Sequence, residues 1–209
     1  MATPFRIEEI IDSPSKLAIL RVFTAHLGLR ATGRQIAKLV GYSAPSTHES
    51  LKDLQGRNIL KLEVIGKQHI YALNEDDRIV QKIIRPMFAT ERNVKNEIRD
   101  FLLDEFKRTK IKAEIVSLIL YGSMQAGTAK KDSDVDVAVV VSRAVDLKSV
   151  EDAFFSEIIP RFKTYFGVQV DPYIKSAVEF KKRLKKNQPP VSTMMKFYSV
   201  LYGKEPLEI

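Results

Sequence analysis

The run Asp134-Val-Asp-Val-Ala-Val-Val-Val141 constrains this chain more than any other stretch. It alternates acid with valine at first and then becomes wholly apolar. A strand with one wet face would keep alternating. One that is apolar on both faces has to be covered on both, as the central strand of a sheet is. Two further segments read as strands to accompany it: Glu-Ile-Val-Ser-Leu-Ile-Leu-Tyr at 114–121 and Gly-Val-Gln-Val-Asp-Pro-Tyr-Ile at 167–174. Between 146 and 166, Val150, Phe154, Ile158 and Phe162 recur at helical spacing. Residues 175–186 form a basic helical stretch. After Pro189-Pro190, Met194, Met195, Phe197, Val200 and Leu201 predict a last helix. Alternating strands and helices make residues 114–209 an α/β unit with a mixed sheet.

The first part of the chain has a different rhythm. Leu17, Leu20, Val22, Phe23 and Leu27 mark a helix that Gly28 can stop. Thr32 can cap a second, Gly33 to Val40, and Gly41 ends it. Ser43 can cap a third, with Pro45 tolerated in its first turn and Leu51 and Leu54 inward. Two β-type runs, Ile59–Ile65 and His69–Leu73, then flank Gly66-Lys67-Gln68 as a hairpin. Three short helices followed by a hairpin, the turn Leu39-Val40-Gly41-Tyr42-Ser43 and a Gly-Lys wing tip resemble the winged helix-turn-helix family. That resemblance implies a DNA-reading third helix. Pro45, Ser46, Thr47, His48 and Lys52 are expected on its start or outer face, with Arg34 and Lys67 as phosphate contacts. Such domains are commonly dimeric, so a homodimer on double-stranded DNA is expected.

Residues 75–113 are charged and helical in pattern, with Pro86 expected to break or kink them. The resulting division is residues 1–74, a helical linker at 75–113, and residues 114–209, α+β in class overall. The net charge is +8, and residues 1–74 are the richest part, with ten Lys and Arg against six Asp and Glu. A basic balance favours polyanionic partners. There is no cysteine, which excludes disulfide scaffolds, thiolate metal sites and a cysteine nucleophile. No apolar run approaches the roughly 20 residues of a membrane span, and the start lacks a secretory apolar core. A cytoplasmic protein without a membrane partner is expected.

The chemistry-bearing segment is Tyr121-Gly122-Ser123-Met124-Gln125-Ala126-Gly127, followed by Ser133-Asp134-Val135-Asp136. Gly122 and Ser123 end a buried strand where a helix would begin. Glycine permits close backbone approach, and the helix start offers N–H groups, so a phosphate is expected there. Asp134 and Asp136 stand two apart on a strand, about 7 Å at about 3.3 Å per residue, and point to one face. Like charges so placed repel unless a cation lies with them, and oxygen ligands of this kind suit Mg²⁺. Asp171 ends the run Val168-Gln169-Val170 on another strand. If the two strands are neighbours, it can complete the site as a metal ligand or as the base for an attacking hydroxyl.

Gly-Ser, a spacer, Asp-x-Asp and a later strand Asp resemble the DNA polymerase beta-like nucleotidyltransferase superfamily, minimal nucleotidyltransferases above all, over about residues 114–202. The resemblance implies that Gly122 and Ser123 bind the triphosphate, that Asp134 and Asp136 hold Mg²⁺, and that Asp171 completes the triad, with one or two metal sites. Many members have arginine before the second glycine, where this chain has Ala126. Lys130 and Lys131 are expected to supply phosphate-binding charge instead. The implied reaction moves a nucleoside monophosphate, AMP by preference, from an NTP to a hydroxyl on a protein or small molecule, with the winged domain tethering or regulating it on DNA. A small helical protein is a further expected partner. The competing reading, to which Ala126 points, is a transcriptional regulator whose transferase-like domain only senses nucleotide or binds a partner.

Overall fold

A computed structural model of the protein describes residues 7–130 and 133–209. Lys131 lies outside the described residues. The chain divides into two compact units, residues 1–93 and 94–209.

In the first unit the Ser13 hydroxyl accepts from the Lys16 N–H at 3.2 Å and starts α1, Pro14–Ala25. Strand β1, Arg30–Thr32, leads into α2, Gly33–Val40. There Thr32 and Gln35 cap each other's backbone N–H groups, a reciprocal arrangement that satisfies two orphan donors at the helix start. Gly41 closes α2 at φ 72°, a conformation costly to residues with a Cβ. Helix α3, Ala44–Gly56, begins at Ser43 with Pro45 in its first turn. Strands β2, Leu60–Ile65, and β3, Gln68–Leu73, pair antiparallel across the two-residue turn Gly66-Lys67. Strand β1 adds to the far side of β3, giving the order β1-β3-β2. The periodicity of the sequence does not disclose β1, because three residues are too few to show alternation. Ile19, Leu20, Phe23, Ile36, Leu51, Leu54 and Ile59 are sealed from solvent and form the core of this winged-helix arrangement.

The expected break at Pro86 does not occur. A π-turn, Val80–Ile84, runs straight into α4, Arg85–Arg108, with Pro86 near its start. The missing N–H of proline falls at the junction of two hydrogen-bond registers, where the i→i−4 ladder is already interrupted. The division between the two units falls inside α4.

The second unit is built on a four-stranded mixed sheet of order β6-β5-β4-β7. Strand β4, Ile115–Tyr121, leads into the short helix α5, Gly122–Ala126, and β5 is Val135–Val141. Helix α6, Leu147–Ala153, continues through a π-turn into α7, Ile159–Phe166, and returns the chain to β6, Val170–Ser176. Strand β6 lies parallel to β5, whereas β4 is antiparallel to it. Then come α8, Ala177–Lys185, α9, Val191–Met194, and β7, Ser199–Gly203. The expected last helix is therefore only one turn long. Val200 and Leu201 stand instead on β7, which pairs antiparallel with β4. A strand edge with open hydrogen-bond groups overrides a helical spacing of apolar residues.

Both faces of the sheet are covered, as the apolar run requires. Val135, Val137, Val139 and Val141 pack with Leu118, Leu120, Phe154, Ile158, Phe162 and the Ile98, Leu102 and Phe106 side of α4. Ala138 and Val140 face the other way, with Ile119, Phe180, Val191 and Met194. The second face carries Asp136 at its end.

Candidate active site

Strand register assembles the site. Tyr121, the last residue of β4, lies opposite Asp136 on β5, and Asp136 lies opposite Asp171 on β6. Alternation puts Ile119 and Tyr121, Asp136 and Ala138, and Asp171 and Tyr173 on one face, the face of α8 and α9. Two carboxylates and a phenol thus stand side by side in a row across three strands. Behind them the next row is Ile119, Ala138 and Tyr173. Ala138 is fully buried in the core of that face.

Gly122 fits this row in a way no other residue can. Its φ is 75°, and a Cβ there would overlap the Asp136 carboxylate, 2.6 Å from its Cγ. The backbone turn and the carboxylate occupy one another's space. The Ser123 backbone lies near enough to the Asp136 carboxylate to favour its charged form. Ser123 is half-buried in the first turn of α5. Helix α5 ends at Gly127, with φ 71°. The Gln125 side chain donates to the Tyr198 carbonyl at 3.3 Å and ties α5 to the segment before β7.

The electrostatics are those of crowded negative charge. Burial pushes the Asp136 carboxyl above its ordinary range, and the charges of Asp171 and Asp134 push it further, against the Ser123 N–H. Burial and two carboxylates, Asp136 and Asp171, hold the Tyr121 phenol well above its usual range, so it stays protonated. Asp134 differs from its expected place. It precedes β5, is exposed, and borders a cavity of about 220 Å³ lined by Ile98, Met124, Phe166 and Val168. Among the described residues no three acidic or histidine side chains close around a common point.

The donor set nonetheless suits a hard divalent cation. It is all oxygen and negative, and its two carboxylates are in register with an open side for phosphate oxygens and water, the usual surroundings of Mg²⁺. Asp136 and Asp171 would hold such an ion, with Asp134 beside them. Lys130 is exposed, and its backbone N–H donates to the Ser133 hydroxyl at 2.8 Å, which pins the loop before Asp134.

In the first unit Arg34, Pro45, His48, Lys52 and Lys67 are exposed and Ser46 is half-buried. Pro45, His48 and Lys52 follow one face of α3. Thr47 is a correction: it is 1% exposed and points into the unit with Leu51 and Leu54, so it cannot meet a base edge. Sequence reasoning missed Lys38, exposed one turn after Arg34 on α2. It also missed Tyr121, although the alternation Leu118-Ile119-Leu120-Tyr121 already places it two residues from Ile119 on the same face.

Parts of the chain are similar to known proteins. The model of the family described as "Nucleotidyltransferase domain" matches residues 95–197. A Methanocaldococcus jannaschii protein, "Putative protein adenylyltransferase MJ1305", is 26% identical over 110 residues, covering 53% of this chain and 73% of that protein. Solved structures give slighter likenesses. The "predicted DNA-binding transcriptional regulator from E. coli" is 17% identical over 42% of this chain and 84% of its own, with a TM-score of 0.34. A "toxin-antitoxin with AMP-PNP" is 16% identical over 51% of this chain and 74% of its own, with a TM-score of 0.31. The sheet, the Gly122 turn and the aspartates in register all lie within residues 95–197, the stretch that matches the nucleotidyltransferase domain.

Proposed function

We propose that the protein is a divalent-metal-dependent nucleotidyltransferase that moves AMP from ATP to a hydroxyl on a protein, while its winged-helix unit holds it on double-stranded DNA. The observation that carries the catalytic reading is the row Asp136–Asp171, with a glycine turn fitted around Asp136. Two like charges in register cost stability unless they have a use for a cation. When bound, that cation offsets charge on the transferring phosphoryl group. Asp171, more exposed than Asp136, is placed to accept the proton of the attacking hydroxyl. The Ser123 hydroxyl binds a phosphate oxygen, and Lys130 and Lys131 add positive charge to the approach. The Asp136 carboxylate lies against the Gly122 turn, where no side chain would fit. The choice of AMP and of a protein acceptor rests on the name of the archaeal relative.

The DNA reading rests on the winged-helix order of elements and on the exposed Pro45–His48–Lys52 face, with Arg34 and Lys67 flanking it. A homodimer would present two such faces, and a small helical protein remains a partner to look for. The regulator reading, in which the second unit only senses nucleotide, is favoured by one observation, Ala126 in place of a phosphate-binding arginine.

The deciding experiment is label transfer in lysate from ATP labelled at the α-phosphate, with Mg²⁺, comparing wild type with Asp136→Asn. Label on a protein band, absent in the variant, is the expected result. A folded wild-type protein that binds DNA yet labels nothing with any of the four nucleotides would replace the transferase with the regulator.

A further inference from the structure

We propose that Tyr121 is a substrate-binding residue of this site, its hydroxyl donating a hydrogen bond to a phosphate oxygen of the bound nucleotide. The inference rests on the transferase reading above and assigns a residue that the Gly-Ser and Asp-x-Asp pattern does not include.

It follows from counting donors and acceptors around the row. Asp136 and Asp171 offer acceptors only, and so do the oxygens of a triphosphate. Contact between them is repulsive except through a cation or through groups that donate. Ser123, at the start of α5, offers a hydroxyl and a backbone N–H at one end of the row. Tyr173 shares the face, but its hydroxyl is buried and has no partner, so it cannot reach a ligand. Tyr121 differs in three respects. Register places it directly beside Asp136, on the same face. It is only half-buried. No hydrogen bond to its hydroxyl is found among the described residues. Tyr121 is also the residue from which the chain enters the Gly122 turn, so its backbone is fixed by β4 on one side and by that turn on the other. A donor held on a strand, next in register to the acids and left without a protein partner, has the placement needed to stabilise charge on a transferring phosphoryl group. A phenylalanine would fill the same volume, so the hydroxyl is not required for packing.

The test compares full-length wild type, Tyr121→Phe and Tyr173→Phe for Mg²⁺-dependent binding of ATP and of tripolyphosphate by calorimetry. Melting curves without ligand verify that the variants are folded. Tyr121→Phe is expected to bind both ligands about tenfold more weakly, equivalent to about 1.4 kcal/mol, with an unchanged melting temperature. Tyr173→Phe should bind both as wild type does. Wild-type affinity in Tyr121→Phe would overturn the inference, as would a loss confined to ATP, since the contact is placed on phosphate. Failure of the wild type itself to bind ATP or tripolyphosphate would instead overturn the transferase reading beneath it.

Discussion

Asp136 is held at the end of a buried strand, with a carboxylate beside it and a glycine turn against it. Its carboxyl is pushed above the ordinary range, so its charged form is disfavoured in the fold. The penalty is absent below the unfolded pKa, grows as pH rises from the unfolded to the folded value, and is fully present above the folded one. Asp136→Asn should therefore abolish label transfer while raising the stability of the metal-free protein by roughly 0.5–1 kcal/mol, as removal of a functional strain commonly does. Calorimetric melting in EDTA measures this, and a lower melting temperature would mean that the favourable contacts of the carboxylate outweigh the repulsion. Gly122→Ala has the opposite character. A Cβ must adopt φ 75° and displace Asp136, so a loss of about 2–4 kcal/mol is expected from backbone strain and overpacking together. Denaturant melts of that variant should show it, and a loss below 1 kcal/mol would mean that the turn is freer than it stands. Neither effect follows from composition. Both follow from one side chain meeting one backbone turn.

At the scale of elements, the α3 face and the wing divide the first unit's work. Lys67 sits exposed at the turn between β2 and β3. If it contacts a phosphate, Lys67→Ala should weaken DNA binding alike for all sequences and lower the salt-dependence slope by about 1. His48→Ala should alter sequence preference. Thr47→Val should change neither, because Thr47 is buried. Fluorescence anisotropy over a salt series separates the three. An unchanged slope in Lys67→Ala would remove the wing from the interface. The limits of sequence reading appear at this scale as well. Helices α2 and α3 were legible because their caps, Thr32 with Gln35 and Ser43, are local chemistry. Strand β7 was not, because Ser199–Gly203 becomes a strand only where the edge of β4 receives it.

Over the molecule as a whole, charge both stabilises and addresses. In the first unit Lys16 is almost fully buried and meets Asp12 at 2.9 Å, the Glu9 carbonyl at 2.8 Å, and Asp53. Arg57 pairs with Asp53 at 2.9 Å and with Glu9. Burial works against the Asp53 charge, but the hydrogen bonds from Lys16 and Arg57 outweigh it and lower the pKa. Burial likewise opposes the Lys16 charge, and Asp53 and Asp12 outweigh it and raise the pKa. The Asp53 contribution is therefore present above its unfolded pKa, about 3.9, and is lost as pH falls through the lower folded value. The Lys16 contribution is present below about 10.4 and is lost as pH rises through the higher folded value. The brace should hold from about pH 4 to pH 10. Asp53→Asn should lower the melting temperature at pH 7 and flatten its fall on the acid side. A variant whose acid limb matches wild type would locate the acid sensitivity elsewhere. Among the described residues no helix is long and apolar enough to cross a membrane.

The sequence by itself determined the class of each half and singled out the candidate acids. A run of valines has to be a covered strand, and Gly-Ser ahead of Asp-x-Asp is a pattern of residue types at short range, where chain geometry alone fixes which side chains are neighbours. What only the tertiary structure decided is who meets whom across the chain. Asp171 enters the site because β6 lies parallel to β5 with Asp171 opposite Asp136. Tyr121 joins the row because β4 pairs with β5 at that register. Thr47 leaves the proposed DNA face because packing against α1 and the small sheet sets the rotation of α3. Strand register and helix rotation are set by burial of apolar surface between segments far apart in sequence, and no local pattern carries that information.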